Sequence, residues 1–232
     1  MAACNAPQNK LALWLASILS PLMGKFSDAH LIHSTDFIDR IRKLGHVEGK
    51  MFSLDVTSLF TNVPLEYVLD KLKEQSELGT FQTPIPITQF LNLVRLCVDS
   101  TVFSFNGEGY RQKFGVAMGS PLSPILANIC MEFVENEILS RCEDSFKPIA
   151  WIRYVDDIFI IFKGNQQELD KLLALANSIL PSIKFTIELE IDNKLPFLDV
   201  LVYHVPNTNQ FKFSVYRKPT NSESYIHFFF IS

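Results

Sequence analysis

The sequence is poor in the residues that bind soft metals or close disulfides. Its four cysteines are Cys4, Cys97, Cys130 and Cys142, and no two stand at CxxC spacing. That excludes a cysteine-based zinc module and a disulfide scaffold, and it reads as free thiols in a reducing compartment. Histidine is scarce as well. Of five copies only His30 and His33 stand close together, with no cysteine or acid at ligand spacing, so they read as structural. No apolar run has the length and flanks of a membrane span or a signal peptide; Leu11 to Met23 is too short and carries Pro21. Repeats and low-complexity tracts are missing. The expectation is an intracellular protein, nuclear or cytoplasmic, with no membrane partner.

An excess of basic charge is lacking too. The 21 lysines and arginines are outnumbered by 25 acids, for a formal charge of −4. This argues against a protein whose whole surface grips nucleic acid, yet leaves room for acids concentrated at a metal site. What is abundant is apolar: 47% of the 232 residues are hydrophobic and 20 are phenylalanine, ample for the core of one large domain or two small ones.

Periodicity and punctuation predict mixed elements. Lys10 to Leu22 reads as a buried helix ended by Ser20-Pro21. Ser34-Thr35-Asp36 caps a second helix that stops at Gly45. Met51 to Val56 is a short strand, 57–63 a loop, and Pro64 the first residue of a helix that ends at Gly79. Thr88 caps a helix to Asp99. Asn106-Gly107 marks a hairpin. Gly115 to Pro124 is a tight loop feeding a long helix with Ser123 as its cap. Glu168 to Leu180 is a helix, Ile183 to Glu190 a strand with one wet face, and Phe197 to Tyr203 and Phe211 to Tyr216 two further strands. Helices mixed with hairpins, without strict strand–helix alternation, predict an α+β fold.

The chemistry centres on Trp151 to Phe162. Two apolar, β-favouring runs flank the pair Asp156-Asp157. Adjacent carboxylates in such a hairpin are costly to desolvate and repel each other, and a divalent cation offsets that cost. The plain alternative is an exposed hairpin turn, where Asp is common. A second acid, Asp55, ends the strand Met51–Val56 in a matching setting. If the two strands are neighbours, the carboxylates converge at one end of one sheet. Oxygen ligands without histidine or thiolate select Mg²⁺ or Mn²⁺, and acids shared between two such ions are the apparatus of in-line phosphoryl transfer.

Three blocks now resemble motifs A, B and C of reverse transcriptases, in order and spacing: Phe52-Ser53-Leu54-Asp55-Val56, the run Gly115 to Pro124, and Tyr154-Val155-Asp156-Asp157. The wording Asp55 to Leu65, Ala117-Met118-Gly119, Leu195 to Val200 and Tyr216 to Thr220 resembles Penelope-like retroelements, whose polymerase is related to telomerase. The resemblance implies a polymerase palm, an antiparallel sheet flanked by helices, over residues 51–232. It implies partial fingers over 1–50 and no complete thumb. It implies an RNA-directed DNA polymerase using two Mg²⁺ or Mn²⁺ ions, an RNA template, a DNA primer and deoxynucleoside triphosphates. Asp55 and Asp156 are then metal ligands, with Asp157 an auxiliary acid.

By the same resemblance Val56, Phe60, Met118 and Gly119 border the nucleotide, and Phe60 is the aromatic gate beside its sugar. Gly115, Ser120, Pro121 and Tyr154 border template and primer. Read without the resemblance, Phe60 is a core residue and the glycine loop an ordinary turn before a helix. Many reverse transcriptases carry Gln where this chain has Met118. The fingers' basic segment, a thumb and a GIY-YIG endonuclease are expected of a full-length element and are not in this sequence. The wording after Tyr225-Ile226-His227-Phe228 departs from the family pattern, which reads as a palm-centred piece. The rival reading is a remnant that binds nucleic acid without polymerising; a nucleotide cyclase lacks support because no Gly-Gly-Asp-Glu-like turn is present.

Overall fold

The computed structural model describes residues 8–217 apart from Ile32, Pro206, Asn207 and Asn209. Cys4, the 218–220 part of the Tyr216 block and the wording after Tyr225 lie outside the described residues. Helix α1 (Asn9–Leu19) buries Ala12, Leu15 and Leu19, and Ser20–Leu22 tightens into a 3₁₀ turn at Pro21. α2 (Ser34–Leu44) stops at Gly45, whose φ is 69°, but its cap position is His33, before the expected Ser34–Asp36 group. β1 (Lys50–Val56) follows. The segment expected to be a plain loop holds one helical turn, α3 (Leu59–Asn62), entered through Ser58 at φ 50°. Local bonds supply what four residues cannot: Asn62 Nδ2 donates to the Thr57 carbonyl at 3.1 Å, and Thr61 Oγ1 to that of Ser58 at 3.0 Å.

Pro64 is the cap of α4 (Leu65–Glu77) and not its first residue, and Pro86 stands where α5 (Ile87–Asp99) begins, ahead of the expected Thr88. Asn106 and Gly107, both at positive φ, join β2 (Val102–Phe105) to β3 (Glu108–Arg111) as a type I′ turn requires. The long helix is α6 (Ser123–Arg141). Its cap is Leu122; Ser123 lies inside the first turn, and its Oγ donates back to the Ala117 carbonyl at 2.6 Å. β4 (Ala150–Tyr154), β5 (Asp157–Phe162), α7 (Gln166–Ile179) and β6 (Phe185–Leu189) come next. Phe197 to Tyr203 is not one strand. Leu198, at φ 56°, breaks it into β7 (Lys194–Phe197) and β8 (Val200–Val205), a tight hairpin pairing Phe197 with Val200, and β9 (Gln210–Val215) pairs on β8.

The main sheet has the order β4-β5-β1-β6 with every pair antiparallel. Side chains alternate across it. Phe52, Leu54, Val56, Ile158, Ile160 and Phe162 enter one core with α1, α4, α5, α6 and α7. Met51, Ala150, Ile152, Phe159 and Ile161 enter a second core with Phe37 and Ile41 of α2 and with β7 and β8. Helices cover one face, and α2 with the three-stranded sheet β7-β8-β9 closes the other. Burial on both faces explains why Ile158–Phe162 is continuously apolar. The architecture is α+β.

The cap of α7 gives a check on this reading. Asn165 Oδ1 accepts from the Glu168 amide at 3.1 Å, and Glu168 Oε2 accepts from the Asn165 amide at 2.8 Å, a complete capping box. Asn165→Ala is expected to cost about 1 kcal/mol. Urea denaturation should show a lower midpoint with an unchanged slope.

Candidate active site

Asp55 is the sixth residue of β1 and lies directly opposite Asp157, the first of β5. By alternation Asp55 follows Met51 and Ser53, and Asp157 precedes Phe159 and Ile161, so both carboxylates leave the same face of the sheet. Asp156 occupies the turn between β4 and β5, in which Tyr154 pairs with Asp157. Its carbonyl accepts from the Val56 amide at 3.3 Å, which ties the turn to the end of β1. Val155, the other turn residue, has φ 57°. That conformation is costly for a β-branched side chain.

Crowding marks the electrostatics. Asp55 is reached by solvent but backed by the packed sheet end. This partial desolvation, first, and the charge of Asp156, second, hold its carboxyl above the ordinary value of 3.8. Among the described residues no three His, Cys, Asp or Glu side chains form a ready-made metal cage.

The glycine loop meets the same end. Gly115 has φ 73°, and a Cβ there would stand 2.4 Å from the Thr61 carbonyl oxygen, so only glycine lets the loop lie against α3. The Val116 amide donates to the Phe60 carbonyl at 2.7 Å. Phe60, Met118, Gly119, Ser120, Pro121, Ser123 and Pro124 then line an open cleft of about 370 Å³. Met118 is highly exposed, Tyr154 is exposed at the edge of the acidic turn, and Phe60 is half-buried. Val56 is different: its side chain is in the core, away from the cleft.

Comparison with known proteins decides the lineage. The family described as reverse transcriptase (RNA-dependent DNA polymerase) matches residues 8–191. The chain belongs to this reverse transcriptase family. It is 23% identical over 206 residues to an uncharacterized 39 kDa protein in mitochondrial S-1 and S-2 DNA of Zea mays. That match covers 85% of this chain and 51% of the maize protein, so the chain spans about half the length of that relative. In fold it resembles the apo telomerase of Candida tropicalis, truncated from its C-terminal domain: TM-score 0.64, 13% identity, 90% of this chain and 46% of that one. It also resembles the RNA-dependent RNA polymerase of BmCPV at elongation state, with TM-score 0.59, 15% identity, and 86% of this chain against 20% of that one.

Reverse transcriptases are nucleotidyltransferases, and the donor set of this one suits their usual divalent ions. Mg²⁺ commonly takes one or two carboxylates and completes its shell with water and substrate phosphate instead of an all-protein cage. Asp55, Asp156 and Asp157 offer such oxygens at a solvent-reachable sheet end.

One buried polar network next to the acidic turn was not legible in the sequence. Beneath the acidic turn Arg153 is fully buried, with Nε donating to Glu135 Oε1 at 2.7 Å and Nη1 to Asn128 Oδ1 at 2.8 Å. Trp151 Nε1 donates to the same Glu135 oxygen at 3.0 Å. Nearby, Glu132 accepts the Gly24 and Phe26 amides at 2.6 and 2.9 Å, and burial pushes its carboxyl above the ordinary range. Arg153 sits in an apolar strand pattern; the only signal was that a charge there needs a buried partner.

The raised Asp55 carboxyl gives a pH prediction. The fold holds this proton more tightly than the unfolded chain does, so stability falls as the pH rises from about 3.8 through the raised value. Asp55→Asn removes that loss. At pH 7 in chelator, urea denaturation should find the variant at least as stable as the parent. Added Mg²⁺ should stabilise the parent more than the variant; the reverse order would contradict the crowded-carboxylate geometry.

Proposed function

We propose that the chain is the palm-centred piece of an RNA-directed DNA polymerase of the Penelope-like type, with residues 1–50 as partial fingers and 51–232 as palm. The observation that carries this reading is the meeting of Asp55 with the Asp156-Asp157 turn at one sheet end, from which the chain runs directly into α3 and Phe60.

In this reading Asp55 and Asp156 hold two Mg²⁺ or Mn²⁺ ions, with Asp157 as an auxiliary acid. Bound ions supply activation of the primer hydroxyl and positive charge for the leaving pyrophosphate. The chain's own residues orient and exclude. The sheet end fixes the carboxylates at one place, because β1 and β5 are buried on both faces. The Gly115–Gly119 loop brings backbone amides close to the incoming deoxynucleoside triphosphate, and Gly115, Ser120, Pro121 and Tyr154 border the RNA template and DNA primer. Residues of a longer protein, fingers, thumb and a GIY-YIG endonuclease, complete the grip on nucleic acid, which fits the acidic balance of this piece. Among the described residues no helix is long and apolar enough to cross a membrane.

Primer extension on an RNA template with Mg²⁺ tests the reading. Parent activity should fall by about a thousandfold in Asp55→Asn, since the lost charge stabilisation is worth several kcal/mol. Retained RNA binding with no extension by the parent would favour the non-polymerising remnant.

Phe60 gives a second test in any preparation that extends primers. A ribonucleotide beside its ring would clash or bury an unpaired 2′-hydroxyl, at a cost of about 1–3 kcal/mol, or roughly tenfold to a hundredfold. Phe60→Ala should lower the deoxy-to-ribo ratio of kcat/KM by that factor while leaving deoxynucleotide use largely intact. An unchanged ratio would make Phe60 a packing residue.

A further inference from the structure

Arg153 has no exposed surface, yet it reaches the turn that carries Asp156. Besides its bonds to Glu135 and Asn128, its Nη1 donates to the Val155 carbonyl at 3.0 Å. Asn128 and Glu135 are both α6 residues, two turns apart, so one guanidinium ties the helix behind the glycine loop to the peptide that enters the acidic turn. Its backbone is held as well: the Arg153 amide donates to the Ala29 carbonyl at 2.7 Å, and its carbonyl accepts from the Leu31 amide at 2.8 Å. The frame is therefore fixed on both sides, while the residue it grips, Val155, is in the left-handed region that β-branched side chains avoid.

An ion pair serving stability alone would need only Glu135. The additional bonds from Nη1 use the planar fork of arginine, which lysine lacks. Glu132 does not compete for this cation's bonds, because its oxygens accept the amides of Gly24 and Phe26.

We propose that Arg153 is a positioning residue for the acidic turn. Held by Asn128 and Glu135, it grips the Val155 carbonyl, keeps Val155 at positive φ, and so sets where the Asp156 carboxylate stands relative to Asp55. The consequence for metal binding rests on the polymerase reading above; the positioning itself does not.

The test needs variants that keep the buried charge paired. Arg153→Ala leaves Glu135 in the interior without its cation, with the Trp151 Nε1 bond remaining, and is expected not to fold. Arg153→Lys keeps a cation for Glu135 but loses the fork that also spans Asn128 and the Val155 carbonyl, and Asn128→Ala removes one support of Nη1 while leaving the Glu135 pair. Two readouts are followed in the full chain. The first is amide exchange at Val56, whose N–H donates to the Asp156 carbonyl, compared with Phe52 and Ile160 in the middle of the sheet. The second is Mn²⁺ affinity, with Asp55→Asn as the reference for binding at the carboxylates.

Expected in Asn128→Ala, and in Arg153→Lys where it folds, is exchange at Val56 faster by about tenfold with Phe52 and Ile160 little changed. Mn²⁺ affinity should be weaker by about tenfold, as when a partner orienting a ligand is lost. Unchanged exchange at Val56 overturns the proposal, and so does uniform acceleration across the sheet, which marks a general structural role. Faster Val56 exchange with Mn²⁺ affinity unchanged overturns it too, in a parent whose affinity depends on Asp55. Parent Mn²⁺ binding indifferent to Asp55→Asn counts against the polymerase reading instead, and Val56 exchange alone then decides the positioning.

Discussion

The register between β1 and β5 is the constraint on which the site depends. Both strands are buried on both faces, so a slip of one residue in β5 would carry Ile158 and Ile160 out of the core they share with Phe52 and Leu54, and Phe159 and Ile161 out of the one they share with Met51. The pairing cannot relax to separate like charges, and Asp55 is left facing Asp157. Like charges opposite one another across a ladder are unfavourable. The sheet end is thus a place where packing forces acids together, and the remaining parts gather around it: α3 and its glycine contact, the cleft beside Phe60, and the turn gripped by Arg153.

Much of this arrangement was readable from residue order. The apolar runs around Asp55 and Asp156-Asp157 specified strands, and hydrophobic alternation with Asn106-Gly107 and Gly45 located turns and stops that the structure has. Ser34, Thr88 and Ser123 are good capping residues, yet these helices begin at His33, Pro86 and Leu122 without a side-chain cap bond, and Ser123 Oγ donates to the Ala117 carbonyl of its own loop. Leu198 gave no hint of a turn, because left-handed backbone at a leucine is set by the pairing of Phe197 with Val200. The Arg153 network was invisible for a related reason: its partners lie 18 and 25 residues away, on a helix whose buried polar side chains look ordinary in sequence.

The structural relatives put this in proportion. At 13% identity to the Candida tropicalis telomerase, little side-chain detail is held in common, yet the backbone superposes over most of this chain. A four-stranded antiparallel sheet with two buried faces needs apolar residues of suitable size far more than particular ones. Of the acids at its end Asp55 and Asp157 are exposed and Asp156 is half-buried, and none of them belongs to either core.

The doubly buried strand β5 also bears on how such a gene would decay. Five consecutive positions, Ile158 to Phe162, admit no polar side chain on either face, and the partner strands add further positions of the same kind. The site offers far fewer positions to chance substitution. A copy drifting without selection would therefore lose its ability to fold sooner, on average, than its acidic signature. A stably folded product is the stricter sign that such an open reading frame is still maintained, and an intact Tyr-Val-Asp-Asp signature the weaker one.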